Sequence, residues 1–280
     1  MKLVSNKVVM VAIVAVAMLS ACKRETADDD TAPATNFAAS NSIFSEAQNI
    51  ADDAAENGSI SFKTDDATGF LSGCATITHD TASSPKLLTI DFGSSGCVGA
   101  DGKLRKGKIT ISYSGKYKAP GTVKTFSFDN YSVNGNQISN SSSKTVTNNG
   151  YNSANHLTWS IAVNGAVTLA NGNGTVTWTS SRTREMLAGE GTPQLADDKY
   201  SITGSSSGTT AAGLAFTATI DDANPLVRDL SCAQGKRNFT AGKVTITITG
   251  KLPRVIDFGN GACDNEATVT IGSKTKTIIL

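Results

Sequence analysis

His79 and Asp80 are adjacent, and a histidine beside a carboxylate is part of the apparatus that activates a serine nucleophile. Such a serine sits in a strained Gly-x-Ser-x-Gly turn. His79-Asp80 also runs into Ser83-Ser84-Pro85, so the pair reads as an exposed polar turn. Asp91 and Asp257 each sit in an Ile-Asp-Phe-Gly run. Two carboxylates set across a sugar would suit glycoside hydrolysis. Their matched positions at strand ends instead predict that each aspartate caps the backbone of the glycine turn that follows it. Asp257, Asn260, Asp264, Asn265 and Glu266 supply oxygen ligands of the kind calcium takes, without the spacing of a helix-loop-helix calcium loop. Asn and Asp are also common in turns, and the expectation is no metal and no cofactor. Val176, Trp178, Ser180, Arg182 and Arg184 alternate along one strand face, placing an indole and two guanidiniums together. That set could stack a ligand. The expectation is a core tryptophan with the arginines emerging toward solvent at the strand end. Trp159, in phase with Leu157, Ile161 and Val163, reads as core.

Five cysteines are present. Setting Cys22 aside for the reason given below leaves Cys74, Cys97, Cys232 and Cys263, an even set that reads as two disulfides in an oxidising compartment. Zinc would need closer spacing, and His79 and His156, the two histidines, lie far apart in sequence. Of the possible connectivities the pairing Cys74–Cys97 and Cys232–Cys263 is expected. The turn at Ser83 to Pro85 folds the strand after Cys74 back onto the strand ending at Phe92, bringing Cys74 and Cys97 to one open end of a hairpin. A second unit repeats this, with its turn at Gly250 to Pro253.

The elements that must position these residues begin after a leader. Lys2 and Lys7 precede an unbroken apolar run from Val8 to Leu19, too short for a helix that crosses a bilayer, which takes roughly 20 residues, and right for a signal peptide over 1–21. Leu19-Ser20-Ala21-Cys22 resembles the lipobox of bacterial lipoproteins. The resemblance implies a diacylglyceryl group on Cys22, cleavage before it, and the membrane as partner. Lys23 after that cysteine resembles lipoproteins sorted to the outer membrane, and Asp28 to Asp30 resembles the acidic tag of surface-exposed ones or a solvated linker. Residues 22–40, charged and poor in apolar groups, are expected to be a flexible tether. Over 41–56, Ile43, Phe44, Ala47, Ile50, Ala51 and Ala54 fall at helical spacing, capped by Asn41 or Ser42 and ending before Asn57-Gly58.

From residue 57 onward the period is two. Ile109 to Tyr113, Val123 to Phe128, Leu157 to Val163, Thr175 to Trp178, Val244 to Ile248 and Thr268 to Ile271 alternate apolar residues with Thr or Ser. Asn134-Gly135, Asn149-Gly150, Asn164-Gly165, Asn171-Gly172 and Asn173-Gly174 are read as hairpin turns between strands. Related three-strand units are expected near 74–117 and 232–280, each with a cysteine, a strand ending in Asp-Phe-Gly and a second cysteine. Asp91-Phe92-Gly93, Cys97, Asp101-Gly102, Arg105, Gly107-Lys108-Ile109, Tyr113, Gly115, Tyr117, Asp257-Phe258-Gly259, Cys263-Asp264-Asn265 and Thr268 to Ile271 resemble a widespread group of uncharacterised bacterial lipoproteins. That resemblance implies the lipoprotein class and no chemistry.

The expected fold is all-β, a predominantly antiparallel β-sandwich or large twisted β-meander over 57–280 with one short N-terminal helix. A membrane barrel is disfavoured, because aromatics make up only 6% and the girdles such barrels carry are missing. A net charge of +1 gives no electrostatic case for nucleic acid. The expected function is a non-enzymatic structural or binding role in the cell envelope, with protein, glycan or lipid as the open ligand classes. The alternatives are an enzyme acting on envelope or extracellular glycans or lipids, and a carrier of an apolar ligand. Pka-shifted carboxylates clustered in a cleft would mark the enzyme, and a large dry cavity the carrier.

Overall fold

Runs that alternate apolar residues with Thr or Ser expose one face and bury the other, and here they assemble into one sheet. A computed structural model describes residues 28–56, 75–99, 101–192, 195–232 and 239–280. The predicted signal peptide over 1–21, Cys22 and Cys74 lie outside the described residues. Helix α1 (Ala32–Glu56) is followed by β1 (Thr76–Asp80), β2 (Lys86–Asp91), β3 (Cys97–Val98), β4 (Leu104–Tyr113), β5 (Val123–Val133) and β6 (Asn136–Ile138). Next come β7 (Ser143–Tyr151), β8 (Leu157–Thr168), β9 (Thr175–Ala188), β10 (Lys199–Thr209), β11 (Ala215–Ile220) and β12 (Leu226–Asp229). The last four are β13 (Phe239–Ile248), β14 (Arg254–Asn260), β15 (Glu266–Ile271) and β16 (Lys274–Ile279).

All described strands belong to one sheet of 16, in the order β1-β2-β4-β5-β6-β8-β9-β10-β11-β13-β14-β15-β16, with β3, β7 and β12 pairing off this path. The described pairings are antiparallel, and the order follows the chain closely, so the meander form of the expected fold is the one found. In β5 the side chains of Lys124, Phe126 and Phe128 point inward while Val123, Thr125 and Ser127 face out. Two of the five Asn-Gly pairs are not turns. Asn149-Gly150 lies in β7 at a bulge, and Asn164-Gly165 lies within β8, where a Cβ on Gly165 would come 2.3 Å from the Ser142 Oγ. A glycine in a strand there serves the close approach of a neighbour rather than a reversal.

The helix departs most from expectation. It begins at Ala32, not near Asn41, and takes in 32–40, nearly half of the stretch read as a tether. Asp30 accepts the Ala32 N–H at 2.9 Å, and Pro33 stands in the first turn, where its missing N–H costs nothing. Ala34, Phe37 and Ala38 are buried. Asp28 pairs with the fully buried Arg254 at 2.7 Å, and Asp29 with Lys276 at 3.0 Å. The acidic residues therefore have counter-charges on β14 and β16, which a count of charge along the chain does not anticipate.

Nor is α1 a preface to the sheet. Every residue from Glu46 to Ala54 is buried, a run of more than two turns that covers the whole circumference of the helix. Its partners are spread along the sheet. Phe44 meets Phe128 of β5 edge-on at 6.0 Å, Phe37 meets Trp178 of β9 at 5.1 Å, and Lys144 of β7 donates to the Phe44 carbonyl at 2.6 Å. Alongside its N-terminal half, Lys103 and Val133 share a cavity wall with Phe239, Phe258 and Ile279 from the other end of the chain. The meander thus curls around α1, and the helix is the centre of the core.

The two Asp-Phe-Gly units keep a common local chemistry. Asp91 accepts the Gly93 N–H at 2.9 Å and pairs with Lys108 at 3.1 Å, and Asp257 accepts the Gly259 N–H at 2.9 Å and pairs with Lys243 at 3.1 Å. Each lysine follows a glycine of positive φ at a β-bulge, Gly107 at 76° and Gly242 at 105°. A Cβ at either would come 2.3 Å from a backbone oxygen, of Asn130 or of Pro225, so only glycine fits. Cys232 and Cys263 form a disulfide with Cα atoms 5.5 Å apart. Cys97 is also disulfide-bonded, while its expected partner Cys74 is outside the described residues.

Candidate functional site

Alternation along β9 puts Val176, Trp178, Ser180, Arg182 and Arg184 on the inner face, and the arginines do not emerge into solvent: Arg182 is 7% and Arg184 5% exposed. A guanidinium inside a core needs partners, and α1 supplies them for Arg184. One terminal nitrogen donates to Asp52 at 3.3 Å and the other to the Asn49 side-chain carbonyl at 3.5 Å. The guanidinium carbon lies against two rings, 4.6 Å from the centroid of Trp159 on β8 and 4.2 Å from that of Tyr200 on β10, and these rings meet each other edge-on at 6.1 Å. Antiparallel register makes this possible, since Trp159 and Ile202 are the cross-strand neighbours of Arg184.

Asp52 is the hub. Its Oδ1 accepts from Lys124 at 2.9 Å and from the Tyr117 hydroxyl at 3.0 Å. Burial on its own would raise its pKa, but Lys124 and Arg184 outweigh burial and hold it at about 2. Burial lowers the pKa of Lys124 despite Asp52, and burial together with Asp52 pushes the Tyr117 phenol well up. Tyr200 donates to Asp198, and its phenol is pushed up by burial. Asp52, Lys124, Trp159, Arg184, Asp198 and Tyr200 wall a cavity of about 210 Å3 at the C-terminal half of α1, together with residues that include Lys118, Asn148, Leu157, Met186, Glu190 and Leu195. It offers both signs of charge, hydrogen-bonding groups and aromatic surface, a lining suited to holding a small polar molecule.

The other sequence candidates are placed apart from it. His79 shares a hydrogen bond of 2.5 Å with the Tyr113 hydroxyl, and Asp80 accepts the Ala82 N–H at 2.9 Å and the Ser83 N–H at 3.1 Å, as a turn residue does. Asp91 and Asp257 cap their glycine turns as described. Asp264 accepts the Glu266 N–H at 3.0 Å, and among the described residues no group of three His, Cys, Asp or Glu side chains is placed to hold a metal. The histidine–carboxylate contact that does form was not legible in sequence: His156 Nδ1 lies 2.7 Å from Glu185 across β8 and β9, partly exposed. Asp52, Lys124 and Tyr200 carried no motif either. Their only signal is polarity at positions whose period points inward. No protein-family model, characterised protein or solved structure matches the chain, so the reading of this cavity rests on its own geometry.

Proposed function

We propose that the chain is a lipid-anchored cell-envelope protein whose β domain is a non-enzymatic binding module for a small polar ligand, a glycan residue being the class its cavity suits. The carrying observation is the cavity of about 210 Å3 in which Trp159, Tyr200 and Arg184 stand beside Asp52, Lys124 and Glu190. Binding is favoured over catalysis because Asp52, neutralised by two cations at about pKa 2, is a poor general acid or base near neutral pH. An apolar-ligand carrier needs interior room that Phe37, Phe44 and Ile50 of α1 occupy. The anchor on Cys22 and the outer-membrane address come from the leader, whose Leu19-Ser20-Ala21-Cys22 ending supports them.

Trp159 makes the binding reading testable by fluorescence. Titration of the full chain with N-acetylglucosamine, glucose and galactose should change tryptophan emission saturably for at least one sugar, and Trp159→Phe should abolish the change. A flat response from all three, with the fold intact by circular dichroism, would reject a glycan ligand. For the anchor, Cys22→Ser should yield a chain without acyl mass that keeps its leader.

A further inference from the structure

Deeper than Arg184, which lines both spaces, the interior holds a second cavity of about 40 Å3 between α1 and strands β7 to β10 and β12. Its polar wall is rich in donors. Among the described residues Lys144 has one acceptor, the Phe44 carbonyl at 2.6 Å, which leaves two of its three hydrogens unused there. On Arg182 the Nε has no partner among the described residues, and one terminal nitrogen reaches only the Ser206 Oγ at 3.4 Å. Arg228 lies over the Phe239 ring at 4.9 Å, and its Nε and one terminal nitrogen have no partner among the described residues. From the helix, the side-chain amide nitrogens of Gln48 and Asn49 are likewise unpartnered. All five residues are buried: Gln48 1%, Asn49 3%, Lys144 2%, Arg182 7% and Arg228 5% exposed.

The neighbouring carboxylates are already committed. Asp52 serves Lys124 and Arg184, and Glu46 serves Lys103 and Arg105. Among the described residues no carboxylate lies within ion-pair distance of Lys144, Arg182 or Arg228, although Asp52 and Glu46 act on Lys144 and Arg228 from further off, and buried cations left in this way are costly unless an anion offsets them. Water could fill hydrogen bonds but would leave the charge. Since one water position takes roughly 10–15 Å3, the space equals about three, the scale of a tetrahedral oxyanion and too small for a sugar.

We propose that this inner cavity binds one inorganic oxyanion of the phosphate or sulfate kind, gripped by Lys144, Arg182 and Arg228 with the Gln48 and Asn49 amides as neutral donors. The anion would tie α1 to β7, β9 and β12 at once. Burial lowers the pKa values of Lys144, Arg182 and Arg228; Arg184 adds to this for Lys144 and Arg228, against the opposing pull of Asp52 on Lys144 and of Glu46 on Arg228. This site is separate from the outer cavity, and its test does not pass through Trp159 emission.

The full chain in detergent, dialysed against acetate buffer, is denatured in acid and the released anions are measured by ion chromatography. In parallel its melting temperature is followed with sodium phosphate, sodium sulfate or sodium chloride at matched ionic strength. The expected result is about one phosphate or sulfate per chain, or a saturable rise in melting temperature with one of these oxyanions beyond that with chloride. Arg228→Met should retain the strand circular dichroism and weaken oxyanion affinity by at least about thirtyfold. Arg182→Met serves the same purpose if Arg228→Met does not fold. Equal effects of all three salts with no oxyanion released, chloride released in place of an oxyanion, or folded variants that keep the wild-type affinity would each overturn the proposal.

Discussion

Asp52 concentrates the polar chemistry of the interior, and its loss should be felt in two ways. Asp52→Asn leaves Lys124 and Arg184 buried without their carboxylate, and removing one member of a buried ion pair costs about 3–5 kcal/mol. Urea unfolding at neutral pH should show a fall of that size. The second effect concerns acid. Because the folded pKa of about 2 lies below that of an unfolded aspartate, the unfolded chain binds more protons between the two values. The stabilisation from Asp52 is therefore complete above about pH 4 and is lost as pH falls toward 2. Wild type should lose stability across that window more steeply than Asp52→Asn. A parallel pair of curves would show that the carboxylate is not held ionised by its neighbours. None of this was legible in the sequence. Asp52 is one acid among several in a helix, and its significance arises from Lys124, 72 residues away, and Arg184, 132 away.

At the level of elements, α1 behaves as core rather than cover. Ile50 is fully buried, and Ile50→Ala should cost about 2–5 kcal/mol, as deletion of a core side chain does where the surroundings cannot collapse. A cost below about 1 kcal/mol in chemical denaturation would mean that the sheet does not close on the helix. The paired bulges give a second prediction. Gly107→Ala and Gly242→Ala each force a Cβ against a backbone oxygen at positive φ, and backbone strain alone should cost roughly 1–3 kcal/mol per site. Strands were readable because the two-residue period survives on the outer face: Thr125 and Ser127 alternate with Phe126 and Phe128 whatever lies inside. The start of α1 was not, since Asp30 and Pro33 are weak signals beside a run of aspartates. Arg182 and Arg184, which point inward, read as solvent-facing because charge at a strand end ordinarily meets water. A period assigns a face, and only the fold says that both faces of those strands can carry polar groups.

For the molecule as a whole, the disulfide and the order of assembly matter most. The Cys232–Cys263 bridge spans 31 residues in sequence, a loop whose closure is worth about 3–4 kcal/mol in the chain-entropy description. Reduction, or Cys263→Ser, should lower the melting temperature by several degrees, and an unchanged value would place the stabilisation elsewhere. That pairing was legible because the Gly250 to Pro253 turn and the repeated Asp-Phe-Gly set the register, whereas the closure of the sheet around α1 left no local trace. This closure also dictates the timing of folding. The helix precedes every described strand, yet its contacts with Lys144, Arg184 and, from the residues just before it, Arg254 span 100, 132 and 226 positions. A chain emerging N-terminus first would present its most completely buried element while the strands that bury it have yet to arrive. Contacts of such separation make folding slow, and they leave Phe37, Phe44 and Ile50 open to other partners in the interval.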